Sequence, residues 1–196
     1  MRYISIDPAV KTIAVAVIDY HGSQDNSIYS SLQVIYTETA DLAKGRKNED
    51  ISDLERCKLI HDFMTRIYDQ WYLPESTTTL IEKQISGTPT YICFISIINV
   101  AISRNAGPTI AIPTHKNRLT IGNLKLSDFY KKTLNSYTAN KEHSRAMFRY
   151  IRPKLQGADN IKFNTAHEKD LADCFTQLIA ALGLVDVEQL PSSYHP

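Results

Sequence analysis

Four carboxylates stand where a carboxylate needs a reason: Asp7, Glu82, Asp170 and Asp173. Asp7 directly follows Ile4-Ser5-Ile6. A buried, unpaired acid is costly, so either a turn begins at Asp7-Pro8 or the acid is placed at a sheet rim for use. Glu82 directly follows the strand-forming run TTTLI (77–81), and no turn residue comes before Glu82-Lys83-Gln84. Alternation puts Glu82 on the same face as Leu80; the plainer alternative is a strand already in solvent, with Glu82 and Lys83 as surface charges. Asp170 and Asp173, in TAHEKDLADCF (165–175), are three apart and share one helix surface. At about 100° per residue, Asp170 lies at the edge of the stripe Leu171, Cys174, Phe175, Leu178, Ile179, Leu182, and Asp173 points nearly away from it. Two solvated acids at a helix start, which welcomes negative charge, would look the same. Thr165 and Glu168 fit a T-x-x-E capping box, which assigns Glu168 to the helix terminus.

Taken together, these acids have a chemical use. Hard divalent cations such as Mg2+ take oxygen ligands from a few carboxylates and leave the rest to water and phosphate. Two such ions about 4 Å apart can activate a water and stabilise a leaving oxygen in phosphodiester cleavage. The acids come from three distant segments, so only the fold can gather them.

The elements that must do so follow from periodicity. Residues 3–7, 12–20 and 28–38 read as successive strands, with HGSQDNS (21–27) as a turn and an antiparallel meander as the expected arrangement. A polar loop (41–53) precedes a helix carrying Leu54, Cys57, Ile60, Phe63, Met64 and Ile67, with Asp53 as N-cap and an end before Pro74. Residues 77–84 form a fourth strand. A helix from Pro89 through YICFISIINVAIS is apolar nearly all round, and 107–114 is a fifth strand ended by Pro113. Residues 115–139 are polar and without a clear period; 141–151 is a basic helix and 166–182 the last one. The order β-β-β-α-β-α-β-α-α predicts an α/β class, a mixed sheet flanked by helices in a single domain over 1–196.

Composition narrows the setting. The chain has 196 residues, 43% of them hydrophobic, enough for a core. Cys57, Cys93 and Cys174 are odd in number, widely spaced and outside any C-x-x-C or Cys/His zinc pattern, as in a reduced intracellular protein. No signal-peptide pattern opens the chain, and no apolar run reaches the ~18 residues of a membrane span.

The acid-bearing segments resemble the motifs of the RuvC-like Holliday junction resolvases. ISIDPAVKTIAVAVID is similar to their first-strand motif, LIEKQ to their I/L-E-x-Q motif and KDLADCF to their D-x-x-D motif. LIEKQISGTPTYICFISIINVAISR is similar to the corresponding segment of the poxvirus-type viral resolvases. The resemblance implies an RNase H-like fold: a five-stranded mixed sheet, first three strands antiparallel, flanked by helices. It implies Asp7, Glu82, Asp170 and Asp173 as catalytic and metal-binding residues, with Asp7 between two Mg2+ ions for which Mn2+ can substitute. It places Lys11 towards DNA. Ala9 departs from the family's usual Gly, Thr12 from a frequent Asn, and Ile85 stands where bacterial relatives have an aromatic, so their cutting preference does not transfer. A viral member would work at the site of viral DNA replication in the host cytoplasm.

Charge is segregated in a way that fits DNA. Residues 115–154 hold ten basic residues (Lys116, Arg118, Lys125, Lys131, Lys132, Lys141, Arg145, Arg149, Arg152, Lys154) against Asp128 and Glu142, a local charge of +8 where the whole chain carries +1. Such a run supports phosphate contacts, although a solvated face is the plain alternative. Arg145, Arg149 and Arg152 recur at helical spacing on one face; with Lys11, Lys116 and Arg118 they are the expected DNA-binding residues. A four-way junction is nearly two-fold symmetric, so a homodimer with one site per subunit is expected, and helix 91–102 is its candidate surface, against packing on its own sheet. The expected activity is Mg2+-dependent hydrolysis of four-way or branched DNA with symmetric nicks, with no membrane partner. The alternatives are another RNase H-fold nuclease, cutting RNA–DNA hybrids or flaps, and a non-catalytic junction-binding protein.

Overall fold

The computed structural model describes residues 1–22, 28–104, 106–107, 109–112, 136–162 and 167–182. In chain order the elements are β1 (Arg2–Pro8), β2 (Thr12–Tyr20), β3 (Leu32–Asp41), α1 (Asp53–Trp71), β4 (Thr77–Glu82), α2 (Pro89–Ser103), β5 (Thr109–Ile112), α3 (Ser136–Ile151) and α4 (Glu168–Leu182). β1 organises the sheet. It pairs antiparallel with β2 and parallel with β4; β3 joins the outer edge of β2 antiparallel, and β5 lies parallel on β4. The order across the sheet is β3-β2-β1-β4-β5. The result is a mixed α/β fold in which the first three strands form the expected meander.

The two faces of the sheet follow from two-residue alternation. Ile4 and Ile6 of β1, with Ile13, Val15 and Val17 of β2 and Ile81 of β4, face a core built with α1 and α2. Ala14, Ala16 and Ile18 of β2 and Leu80 of β4 face the other core, built with α3 and α4. Ser5, between Ile4 and Ile6, is on the second face, where its hydroxyl donates to the Cys174 carbonyl of α4 at 2.8 Å. Small side chains at Ser5, Ala14 and Ala16 let α4 approach the sheet backbone this closely. Gln177 of α4 donates to the Ile6 carbonyl at 3.2 Å. Phe175 of α4 meets Phe148 of α3 with ring centroids 5.0 Å apart, both fully buried; a buried Phe contributes roughly 1.5–3 kcal/mol through its removal from water.

Several boundaries differ from expectation, each for a local reason. Ile28–Ser31 is a 3-10 turn, so β3 begins only at Leu32. The N-cap of α1 is Ser52, whose hydroxyl accepts from the Glu55 amide at 3.2 Å, and Asp53 is already helical; Ser and Asp are comparable caps, and here the earlier residue takes the position. β4 ends at Glu82, and Lys83 and Gln84 lie beyond it. α3 starts at Ser136, ahead of the basic run. α2, apolar nearly all round as expected, buries Cys93, Phe94, Ser96, Ile97, Val100 and Ala101 in its own chain's core, while Ile102 is 68% exposed. Among the described residues, no helix is long and apolar enough to cross a membrane.

Candidate active site

β1 and β4 deliver the first two acids. Ile6 pairs with Ile81 in parallel register, so Asp7 and Glu82 follow side by side at the ends of adjacent strands, about 4.8 Å apart in the hydrogen-bonding direction. Both share the face of Ser5 and Leu80, the side covered by α4. Asp7 is buried and Glu82 half-buried. The first turns of α4 place Asp170 and Asp173 over this rim. Asp7 feels all three other acids: its carboxyl is pushed well above the usual carboxylate range, first by burial and then by Asp173, Glu82 and Asp170, against the opposing pull of Lys141. The fold therefore brings the four acids together.

Periodicity leaves Asp173 open, because α4 buries more than one stripe. Glu168, Thr176 and Gln177 are buried along with the apolar residues, since the sheet covers one side of α4 and α3 covers another. Asp173 points into that second contact. Lys141 of α3 ion-pairs with it, and the same ammonium lies 3.8 Å from Asp7 Oδ2. Burial opposes the charge on Lys141, but Asp7 and Asp173 outweigh it and hold its pKa above the ordinary lysine value. The Ser144 hydroxyl, one helical turn further on, also favours the charged form of Asp173. Asp170 has Thr12 as a neighbour, whose hydroxyl donates to it at 3.4 Å, and His167 Nδ1 at 3.6 Å.

Among the described residues no three acid, His or Cys side chains are gathered closely enough, as they stand, to hold a metal ion. The donor chemistry nevertheless fits a hard divalent cation. Asp7, Glu82, Asp170 and Asp173 offer oxygen only, and the seat between Asp7 and Asp173 already takes a positive charge, the Lys141 ammonium.

No family model matches the chain, and no curated protein does. Solved structures do. Thermus thermophilus RuvC aligns with a TM-score of 0.60 at 12% identity, covering 94% of this chain and 98% of that one. The Fowlpox virus resolvase, solved with substrate Holliday junction DNA, aligns with a TM-score of 0.56 at 18% identity, covering 95% of this chain and 100% of that one. A second structure of the Thermus protein, in complex with a Holliday junction substrate, aligns with a TM-score of 0.56 at 11% identity over 92% of each chain. The fold is that of the RuvC-type resolvases.

On this RuvC-type frame the expected DNA-facing residues divide. Lys11 is exposed on the β1–β2 turn beside the acids, and its carbonyl is anchored by the Leu42 and Ala43 amides at 2.8 and 3.3 Å. Arg152 is exposed after α3. Arg145 and Arg149 are instead engaged by Glu168, which is buried and takes donors from both guanidiniums. Burial works against the Glu168 charge, but Arg149 and Arg145 prevail and lower its pKa. The two arginines thus fasten α3 to the start of α4. Lys116 and Arg118 lie outside the described residues, as does Thr165, the other half of the expected capping box.

Two site neighbours escape sequence reading. Lys141 shows as one more charge of a basic run, yet it falls three residues before Ser144 and seven before Phe148, on the buried stripe of α3. A lysine in register with a core stripe is the signal that could have singled it out. Arg56 is buried in α1 and donates to backbone carbonyls of Val10 and Ile51 (the latter at 3.3 Å) and to Asn48 Oδ1 at 3.0 Å. It ties the turn after Asp7 to the loop after β3, and no local pattern marks it.

Proposed function

We propose that the protein is a metal-dependent endonuclease that resolves four-way and other branched DNA by hydrolysing phosphodiesters. The observation that carries this is the meeting of Asp7, Glu82, Asp170 and Asp173 at one rim of the sheet, on a fold shared with resolvases solved on junction DNA. Asp7 and Glu82 are fixed by strand pairing, and Asp170 and Asp173 by a helix pinned to β1 through Ser5 and Gln177; such rigidity is what a precisely spaced ligand set needs. Mg2+ ions held by these acids would supply the charge that activates a water and stabilises the leaving oxygen. Lys11 and Arg152 contribute phosphate contacts that position the strand without reading bases. The active form is a homodimer, one site per subunit, joined through the face of α2 that carries Ile102, so that two symmetric nicks resolve one junction.

The test is incubation with an end-labelled four-way junction, with and without Mg2+, beside linear duplex and an RNA–DNA hybrid. Paired symmetric nicks in the junction alone support the proposal. Preferred cutting of the hybrid would instead make the chain a different nuclease of this fold, and tight junction binding with no metal-dependent cutting would make it a binding protein. Glu82→Gln lowers the rate by roughly a hundredfold or more, the scale on which loss of one group that stabilises a transition state is felt, and leaves junction binding in place.

A further inference from the structure

The ammonium of Lys141 occupies the middle of the acid cluster. Among the described residues it is the one basic group that reaches both a strand acid and a helix acid there, pairing with Asp173 and lying 3.8 Å from Asp7. Its position is built: it lies on the face of α3 that also presents Ser144, Phe148 and Ile151 to the core, and its side chain is only 23% exposed. Neighbouring like charges repel strongly in a partly dry site, so the acids need a cation near them to stay together. A divalent ion bound by Asp7 and Asp173 would need the space and the charge that Lys141 now supplies.

We propose that Lys141 is a tethered counter-ion that holds Asp7 and Asp173 together before metal arrives and competes with the metal for them, so that loading expels its ammonium from between the two carboxylates. Lys141 thereby sets the metal affinity of the site and keeps it closed at low divalent concentration. Once expelled, the ammonium stays on α3 beside the rim, where a DNA phosphate can take it, which makes metal and DNA binding mutually favourable. This rests on the metal-dependent reading of the site given above, but its test does not depend on cleavage.

The experiment is titration of the intact protein with Mn2+ alone, followed by electron paramagnetic resonance of the free ion. Lys141→Met binds Mn2+ roughly tenfold tighter than the parent, within the ordinary range for coupling between two binding events, and Lys141→Arg, which keeps the charge, stays near the parent. Lys141→Met with equal or weaker affinity, or no Mn2+ binding by parent and Lys141→Met alike, overturns the proposal. A second measurement needs no variant. The parent is treated with acetic anhydride with and without Mn2+, and peptide mass mapping reads acetylation at Lys141. Mn2+ raises it severalfold if the ammonium is expelled, and unchanged acetylation overturns the idea even if Lys141→Met fails to fold. Tighter Mn2+ binding by Lys141→Met in a protein that never cuts a junction would leave the counter-ion in place and remove the resolvase reading; junction cutting with unaltered affinity would do the reverse.

Discussion

The acids of the candidate site are held by more than one kind of constraint. Asp7 and Glu82 are positioned by backbone pairing, and Asp173 by an ion pair with Lys141 of α3. Arg56 acts one step back, on the turn that follows Asp7. Its guanidinium is surrounded by carbonyl oxygens of Val10, Asn48 and Ile51 and by the Asn48 side chain. Arg56→Met fills similar volume but leaves those buried acceptors without a donor, which costs roughly 3 kcal/mol; urea denaturation of the variant reads this directly. The residue scale is also where sequence reading divides. Asp7 and Glu82 can be found because each breaks a strand pattern in place. Asp173 cannot be settled, because its environment is made by α3, whose contact with α4 no local period encodes. Lys141 and Arg56 act on partners 32 and 46 residues away, so their roles exist only in the folded chain.

At the scale of elements, the meander, the two crossover helices and the closing helical pair follow from alternation and from apolar stripes, and the structure places them in that order. What periodicity does not give is which helix covers which face. That is decided by Ser5, Ala14 and Ala16, whose small side chains admit α4 to the face that carries the acids. The far ends of β1 and β2 are closed by a different device. Arg2 makes a two-pronged pair with Asp19, both contacts at 2.8 Å, and also donates to the Trp71 carbonyl at the end of α1. The hydrogen bond from Arg2 holds the Asp19 carboxyl below its usual range. A group with a depressed folded pKa stabilises the fold above its unfolded pKa, and that contribution disappears as pH falls through the folded value. Asp19→Asn therefore loses about 1 kcal/mol near neutral pH, and the difference from the parent closes in acid; thermal melts across the acid range should show the two curves converge.

For the molecule as a whole, the separation of charge has two uses. Part of the basic run is internal: Lys141, Arg145 and Arg149 hold α3 against α4 through Asp173 and Glu168. The other use is the one proposed above, phosphate contact by the exposed Lys11 and Arg152. The dimer proposed above would use α2, where Ile102 is exposed and Tyr91, Ile95 and Ile98 are half-buried. Sedimentation equilibrium should give a dimer for the parent and a weaker one for Ile102→Lys; a parent that is monomeric at every concentration removes this surface from the account. The central claim, that four acids gathered at one sheet rim cut branched DNA with a divalent metal, is tested most directly by one comparison. The parent and Asp7→Asn are each mixed with a labelled four-way junction and Mg2+. The account predicts paired symmetric nicks by the parent and, with Asp7→Asn, binding without cutting. Equal cutting by both proteins, or none by the parent in any divalent metal, would contradict it.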